Sequence, residues 1–318
     1  NIIKLNNNLL KRIILDLKNN ELVGIPTETV YGLAGKAYSG KAVKKIFEMK
    51  KRPQKNPLIV HYYKLQDAEK DVFFNKNFFK LYKKLCPGPI TFILRKRNNS
   101  KIHNKVTANL NTVGIRFPKN QIIRKILKKI DFPLAMPSAN KAGKVSPTEP
   151  NHVYFEFGKK IKIIDGGKTK IGLESTVVDL TKKTRILRPG IISKEKIQRI
   201  LKKKIFSPKK FEKILSPGNL KKHYSPGIPL VLNAKRAASK SAFIVIGKID
   251  IKSKDIFNLS KASNLEEAAK NLYKTLINIK KKKYKKIYVM KIPKKGIGIA
   301  INDRLKRAAT KWMLRLKI

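Results

Sequence analysis

The stretch ELVGIPTETVYGL, residues 21–33, joins two features that decide how this chain folds. Residues 21–26 carry the apolar run of a short buried strand and end at a proline turn. Residues 26–33 then place hydroxyls, a carboxylate and a glycine together directly after that strand. The chain has no folding reason to gather such groups there, so we expect this loop to belong to a functional site.

Helices and strands alternate around this stretch over the first 200 residues. Helical spacing of apolar residues predicts helices at residues 9–17, 40–50 and 77–85. Short apolar runs predict further strands at residues 57–61, 90–94, 112–116, 134–136, 161–164 and 175–180. The alternation predicts an α/β or α+β fold with one large mixed sheet.

A smaller second unit is predicted toward the end of the chain. A lysine-rich helix is expected at residues 197–214, and closely spaced prolines and glycines in residues 216–227 are typical of an ordered linker. Strands at 229–232, 241–246 and 286–290 then alternate with helices at 264–279 and 302–316, an order that predicts a small parallel sheet. We therefore divide the chain into a first domain (1–205), a linker (206–228) and a second domain (229–318).

Length and composition fit this division. The chain has 318 residues, 42% of them apolar, which is enough for two cores at roughly 150 residues per domain. No apolar run approaches the ~20 residues that cross a bilayer, and residues 1–10 lack the apolar segment of a secretory signal. We expect a soluble, cytoplasmic protein without a membrane partner. The single cysteine, Cys86, excludes an internal disulfide and a cysteine-based zinc cluster.

The net charge of +55 is large, but it does not by itself identify a partner. Lysine recurs along the whole chain, together with much isoleucine and asparagine. These three residue types rise together when a genome drifts toward A and T, so compositional drift is one explanation. The other is a basicity selected to hold a polyanion.

Several familiar catalytic motifs are absent. Residues 167–169 (GKT) end like a phosphate-binding loop, but Lys162 stands where its first glycine belongs. Residues 296–298 (GIG) begin like a dinucleotide fingerprint, but Ile301 replaces the third glycine. The four histidines lack metalloprotease spacing, and no Gly-x-Ser-x-Gly elbow occurs. Covalent catalysis is therefore not expected.

What remains is a set of cationic, hydroxyl and amide side chains at strand ends and in loops. Guanidinium groups match carboxylate or phosphate oxygens with two hydrogen bonds, and hydroxyls add donors without charge. This inventory suits a triphosphate together with a small carboxylic acid. Its members include Lys50, Arg52, Arg116, Ser138, Asn140, Ser146, Thr148, Ser175, Thr176 and Arg188.

Together these residues resemble the Sua5/YrdC family of threonylcarbamoyl-AMP synthases, in its two-domain Sua5 form. Each motif alone is weak, but the whole set in order is specific. The matching segments are residues 26–33, 50–61, 86–91, 113–118, 137–148, 173–180 and 187–190. Residues 223–226 (HYSP) and 296–304 (GIGIAINDR) resemble the long form only.

The resemblance implies a fold and a reaction. The first domain is expected to be a YrdC-like twisted mixed sheet around a basic cavity, and the second a smaller Rossmann-like α/β domain. The family joins L-threonine, bicarbonate (or CO2) and ATP into threonylcarbamoyladenylate and pyrophosphate, with Mg2+. The product serves the modification of tRNA to N6-threonylcarbamoyladenosine at position 37. Such a nucleotidyl transfer needs alignment and charge neutralisation, so no catalytic nucleophile or base is implied.

The family pattern also implies two sets of binding residues. The threonine set is Thr29, His61, Arg116, Ser175 and Thr176, with the main chain near Met136; Arg116 is expected to bind the carboxylate. The ATP set is Lys50, Arg52, Asn56, Thr112, Ser138, Asn140, Ser146, Arg188 and Tyr224. Tyr224 is expected to close the cavity over the nucleotide, with the second domain and linker as its gate. Glu28 and Tyr31 are assigned to the turn rather than to the site.

The same residues leave one alternative, a non-catalytic module that binds double-stranded RNA or tRNA through a basic cavity. A simple RNA binder has no reason to keep a second domain and Tyr224 over that cavity, which favours the enzyme. A hydrogenase-maturation carbamoyltransferase also shares the YrdC-like domain, but the single cysteine excludes its zinc motifs. The resemblance implies a downstream tRNA-modifying transferase complex and leaves direct tRNA contact open.

Overall fold

The computed structural model describes residues 1–205, 223–249 and 253–313. Its helices are α1 Asn7–Lys18, α2 Gly40–Lys50, α3 Leu65–Glu69, α4 Lys76–Leu85, α5 Gln121–Lys129, α6 Pro150–Phe157, α7 Lys194–Leu201, α8 Leu265–Lys281 and α9 Gly298–Met313. The strands of the first domain are β1 Ile2–Lys4, β2 Val23–Ile25, β3 Gly32–Lys36, β4 Ile59–His61, β5 Ile90–Arg95, β6 Thr112–Arg116, β7 Leu134–Ala135, β8 Lys162–Asp165, β9 Thr176–Asp179 and β10 Arg185–Arg188. Those of the second are β11 Leu230–Leu232, β12 Ala242–Val245, β13 Ile256–Asn258 and β14 Ile287–Val289.

Short polar side chains start most of the helices. Asn6 accepts a hydrogen bond from the amide of Leu9 at the start of α1, and Ser39 accepts one from Ala42 at the start of α2. Asn75, Asn120, Ser193 and Asn264 cap α4, α5, α7 and α8 in the same way. Such caps satisfy amides that have no partner within the helix.

Within the described residues the first domain contains a ten-stranded mixed sheet in the order β1-β8-β2-β3-β7-β4-β6-β5-β9-β10. Neighbouring side chains of a strand point to opposite faces, so the sheet separates two cores. Leu33 belongs to the core packed by α2, α4, α6 and α7. Ala34 belongs to the other, packed by α1 and α5.

The second domain is built on a four-stranded parallel sheet in the order β11-β14-β12-β13. Helices α8 and α9 bury Leu272, Leu276 and Leu305 in its core. The expected small parallel sheet is therefore present, with β13 as a strand that the sequence pattern did not predict.

The two domains share a packed boundary. Val30, Val145 and Leu173 of the first domain lie in the same apolar cluster as the second-domain core. Gly172 (φ 79°) approaches α8 so closely that an added Cβ would lie 2.6 Å from the Cα of Lys270. Only a glycine fits this position, since both its conformation and its space exclude a side chain.

One predicted helix was wrong in its bounds. The stretch expected at residues 197–214 begins earlier, at Lys194, and ends at Leu201 because Lys202 takes a left-handed conformation (φ 52°). Residues 206–222, most of the predicted linker, and 314–318, the end of the predicted second domain, lie outside the described residues. No helix within the described ranges is long and apolar enough to cross a bilayer.

Candidate functional site

A cavity opens where the loops of the first domain meet the segment that leads into the second. Its wall comes from strand ends, from the loops that follow β2 and β7, and from the segment before β9. The lining residues are Thr29, Val30, Arg52, Ile59, His61, Arg116, Met136, Pro137, Ser138, Glu174, Ser175, Arg188, His223 and Tyr224.

Sheet register brings His61 and Arg116 together. Strands β4 and β6 are parallel, and His61 lies opposite Arg116 at their carboxyl ends. Next to them, the amide of Met136 donates to the carbonyl of Ile59 over 2.9 Å, which brings the loop after β7 against the same end of the sheet. Residues that are distant in sequence thus meet at one sheet edge.

The Arg116 guanidinium is held by a buried carboxylate. Its Nη2 donates to Glu28 Oε1 over 2.6 Å, and both side chains are about 5% exposed. The other Glu28 oxygen accepts from the amides of Lys119 and Asn120 at 3.1 and 3.3 Å. Arg116 Nε is buried without a partner among the described residues. Glu28, which the sequence assigned to the turn alone, therefore orients this arginine.

His61 is an uncharged imidazole. Burial, followed by the neighbouring Arg116 charge, lowers the pKa of His61 to about 3. Its Nδ1 is buried without a hydrogen-bond partner among the described residues. A neutral ring with an unused nitrogen can accept or donate one hydrogen bond to a polar ligand.

Two further arginines line the cavity from other directions. Arg52 donates to the carbonyls of Asn56 and Pro57 at 3.0 and 2.8 Å. Arg188 donates to the carbonyl and hydroxyl oxygens of Ser175, both at 3.1 Å. Burial lowers the pKa of Arg52 to about 9, which leaves it protonated at neutral pH. A buried cation held by neutral groups is a favourable site for an anionic ligand.

Two predicted ATP residues, Lys50 and Asn140, support the cavity wall through hydrogen bonds. Lys50 Nζ donates to the carbonyls of Ser138 and Asn140, and the Asn140 side chain donates to the carbonyls of Lys141 and Lys144. Burial lowers the pKa of Lys50 well below its ordinary value. These two side chains hold the loop that carries Ser138 into the cavity.

The remaining predicted residues lie outside the lining. Asn56 is buried with both side-chain polar atoms unpartnered within the described residues. Thr112 is the first residue of β6, and Arg116 is the last. The role of Thr112 toward ATP stays a prediction. Thr176 Oγ1 donates to the carbonyl of Ile192 and accepts from its amide, whereas Ser175 lines the cavity.

Glu174 and His223 line the cavity although the sequence did not select them. Glu174 Oε1 accepts from Ser146 Oγ over 2.6 Å, and Oε2 accepts from Arg304 Nε over 3.0 Å. Burial opposes its charge, but Arg304, Arg188 and the hydrogen bond from Ser146 together outweigh burial, and the pKa of Glu174 falls to about 2. Both residues lie within segments that the sequence did identify, 173–180 and 223–226, and that was the available signal.

Among the residues that the structure describes, no group of three or more histidine, cysteine, aspartate or glutamate side chains could hold a metal ion. The Glu174 carboxylate, which lines the cavity, is already occupied by hydroxyl and guanidinium donors. The described residues therefore do not provide a set of oxygen ligands for Mg2+.

Comparison with known proteins matches both domains. A family model described as "Telomere recombination" matches residues 16–190, and one described as "Threonylcarbamoyl-AMP synthase, C-terminal domain" matches residues 192–310. A threonylcarbamoyl-AMP synthase of Pyrococcus abyssi is 35% identical, covering 92% of each chain. Another, from Bacillus subtilis, is 35% identical over 94% of this chain and 92% of its own.

A solved structure is similar over nearly the whole molecule. The crystal structure of P. abyssi Sua5 complexed with L-threonine superposes with a TM-score of 0.88 at 31% identity, covering 96% of each chain. The fold expected from the sequence, a large mixed sheet with a smaller parallel α/β domain, is confirmed by this likeness.

Proposed function

The chain belongs to the Sua5 family of threonylcarbamoyl-AMP synthases, and on this premise we propose that it joins L-threonine, bicarbonate (or CO2) and ATP into threonylcarbamoyladenylate and pyrophosphate. One observation carries the proposal. A single cavity is lined by three buried arginines: Arg116, oriented by the Glu28 carboxylate, and Arg52 and Arg188, whose charges act on each other. Three guanidinium groups around one cavity suit a small carboxylic acid and a triphosphate bound side by side.

L-Threonine occupies the part of the cavity around Arg116. The guanidinium binds its carboxylate, and His61, Thr29 and Ser175 offer neutral hydrogen-bonding groups to its amine and hydroxyl. This assignment is supported by their common place in the wall, with the main chain at Met136 beside them.

ATP occupies the part bounded by Arg52, Arg188, Ser138 and Tyr224, with Mg2+ bound to its phosphates as MgATP. The lining position of these four side chains supports the assignment. Lys50 and Asn140 contribute through the loop that they hold, and Asn56, Thr112 and Ser146 complete the ATP set that the family pattern gives.

The reaction needs alignment more than a reactive side chain. The neutral amine of threonine forms a C–N bond with CO2 and loses a proton, which gives a carbamate. A carbamate oxygen then bonds to the α-phosphorus of ATP as the bond to the bridging oxygen of the β-phosphate breaks, and pyrophosphate leaves. Fixed guanidinium groups neutralise the charge that moves onto the leaving group, without reorganisation by water.

The product is an activated carbamoyl adenylate, which a tRNA-modifying transferase consumes downstream in the cytoplasm. Direct contact with tRNA would use the basic surface that the +55 charge provides.

The first experiment measures pyrophosphate release from MgATP and bicarbonate, with and without L-threonine. We expect threonine-dependent release by the native chain and its loss in Arg116→Ala. Glu21→Gln is a matched control, because Glu21 forms an exposed pair with Lys45. No release, together with tight tRNA binding that collapses with added salt, would instead establish the RNA-binding module.

A further inference from the structure

A buried ion pair joins the nucleotide part of the cavity to the second domain. Arg304 on α9 is fully buried and donates to Glu174 Oε2 over 3.0 Å, and Tyr273 on α8 donates to the same oxygen over 3.0 Å. Glu174 in turn accepts from Ser146, a residue of the ATP set. The pair therefore reaches from the second-domain helices into the wall of the cavity.

Arg304 also touches two other parts of that wall. Its Nη1 donates to the carbonyl of Pro189 over 2.8 Å, directly after Arg188. Its guanidinium lies 5.3 Å from the centre of the Tyr224 ring. Tyr224 is buried in a left-handed conformation (φ 62°), which a tyrosine adopts only when its surroundings impose it.

In the threonine part of the cavity, Arg116 is held by first-domain residues. Arg116 donates to Glu28, and the amides of Lys119 and Asn120 donate to the Glu28 carboxylate. Among the described residues, Arg304 donates to Glu174, which accepts from Ser146, and to the carbonyl of Pro189 beside Arg188, and its guanidinium lies against the Tyr224 ring. Ser146, Arg188 and Tyr224 belong to the ATP set.

We propose that Arg304 is a positioning residue for the adenylation step: the second domain supplies it to set Ser146, Arg188 and Tyr224 in their ATP-binding arrangement. The inference rests on the proposed function, and it gives the second domain a defined task besides closing over the cavity. A salt bridge that only joined two domains would not need a carboxylate in the cavity wall.

The test compares Arg304→Met, Arg304→Lys and the control Arg307→Met. Arg307 lies on the same helix and also pairs with Asp303, and its side chain is 17% exposed where that of Arg304 is fully buried. We expect Arg304→Met to raise the KM for ATP about tenfold to a hundredfold, as loss of a charged hydrogen bond does, with the KM for L-threonine within about twofold. Arg307→Met should leave both KM values near those of the native chain.

Arg304→Lys keeps the charge but cannot reach Glu174 and Pro189 at once, so it should restore the native Tm and only part of the ATP affinity. Equal rises in both KM values, or full recovery of ATP affinity by the lysine, would overturn the proposal and leave a purely structural pair. Calorimetric ATP binding separates the two claims. If the native chain binds ATP without turnover and Arg304→Met weakens that binding, only the proposed function fails; if it binds no ATP, both fail.

Discussion

Arg116 donates to Glu28 over 2.6 Å, and both side chains are buried at the carboxyl end of the central strands. Glu28 neutralises the arginine and fixes its direction while the backbone amides of Lys119 and Asn120 fix the carboxylate. An arginine held in this way can bind a carboxylate ligand without first losing side-chain freedom, which is the main entropic cost of such contacts.

Glu28→Gln should therefore weaken threonine binding more than ATP binding. The amide keeps the shape but removes the negative charge, so Arg116 loses a charge-assisted hydrogen bond of about 1.5–3 kcal/mol. We expect the KM for L-threonine to rise by about tenfold or more in steady-state pyrophosphate release. A rise in the KM for ATP of the same size would show that Glu28 stabilises the whole domain instead.

The free energy of unfolding should begin to fall near pH 6.5, well above the pH at which carboxylates are protonated. The pKa values of His61 and His223 are both lowered to about 3, chiefly by burial, so both rings stay neutral in the folded chain below their ordinary pKa of 6.5. The unfolded chain binds those protons first as the pH falls below 6.5. The free energy of unfolding should then drop by about 1.4 kcal/mol per pH unit for each histidine.

Urea unfolding at pH 7.5, 6.5 and 5.5 measures this slope. His61→Gln should reduce it by about 1.4 kcal/mol per pH unit below pH 6.5, because one group no longer titrates differently in the two states. An unchanged slope would mean that His61 protonates in the folded chain at its ordinary pKa. Glu174, whose pKa is lowered to about 2, adds a further loss only as the pH falls through about 4.5 toward 2.

Gly172→Ala should loosen the boundary between the domains. The new Cβ would meet Lys270 at 2.6 Å in addition to the strain of a left-handed alanine, so we expect a loss of about 2–4 kcal/mol. Gly167→Ala is the matched control, since Gly167 has φ 64° but open space around it; its cost should be about 1 kcal/mol. Thermal unfolding of both variants makes the comparison, and equal losses would exclude the close approach as the cause.

We expect the ring of Tyr224 to contribute more to ATP binding than its hydroxyl does. The ring stacks on Tyr273 at 5.8 Å, and the adjoining Ser225 amide donates to the carbonyl of Gly143 over 2.8 Å. Tyr224→Phe keeps this packing, whereas Tyr224→Ala leaves a cavity that costs about 3–5 kcal/mol. Measured KM values for ATP should rise far more in the alanine variant.

Removal of everything after Lys222 should likewise impair turnover, because it deletes both Tyr224 and Arg304. Full activity in the truncated chain would contradict a role of the second domain in the reaction. The same truncation should spare the hydrogen bonds that hold Arg116, so L-threonine binding by calorimetry is the internal control.

The sequence predicted most elements because local pattern decides them. Helix α2 and strand β6 lie where the pattern placed them, and the helix expected at residues 9–17 spans Asn7–Lys18. Strands β1, β3 and β10 and helices α3, α5 and α6 were not predicted, and β13 was also missed. The three residues of β13 are only half-buried, so no apolar alternation marks them.

The site was predictable to the extent that motifs carry it. Thr29, His61, Arg116 and Arg188, which the family pattern selected, all line one cavity, and their binding roles stay predictions. What the sequence could not supply were pairings across long separations. The sequence around Glu28 predicts only a turn residue. The sequence around Glu174 does not identify its counterion, because Arg304 comes close only in the folded chain. The hydrogen bonds of Lys50 to the carbonyls of Ser138 and Asn140 are a further example, and its contact with ATP stays a prediction.

The Glu174–Arg304 pair has a consequence for how the site forms during synthesis. Glu174 and Arg304 are 130 residues apart, with the carboxylate made first. At bacterial or eukaryotic translation rates of about 5–20 residues per second, the arginine follows on the order of ten seconds later. A nascent first domain can already contain the Glu28–Arg116 pair, since both residues precede Glu174 in the chain. Its ATP part lacks Arg304 until α9 is made, so we expect chains cut short before Arg304 to bind ATP more weakly than the full chain.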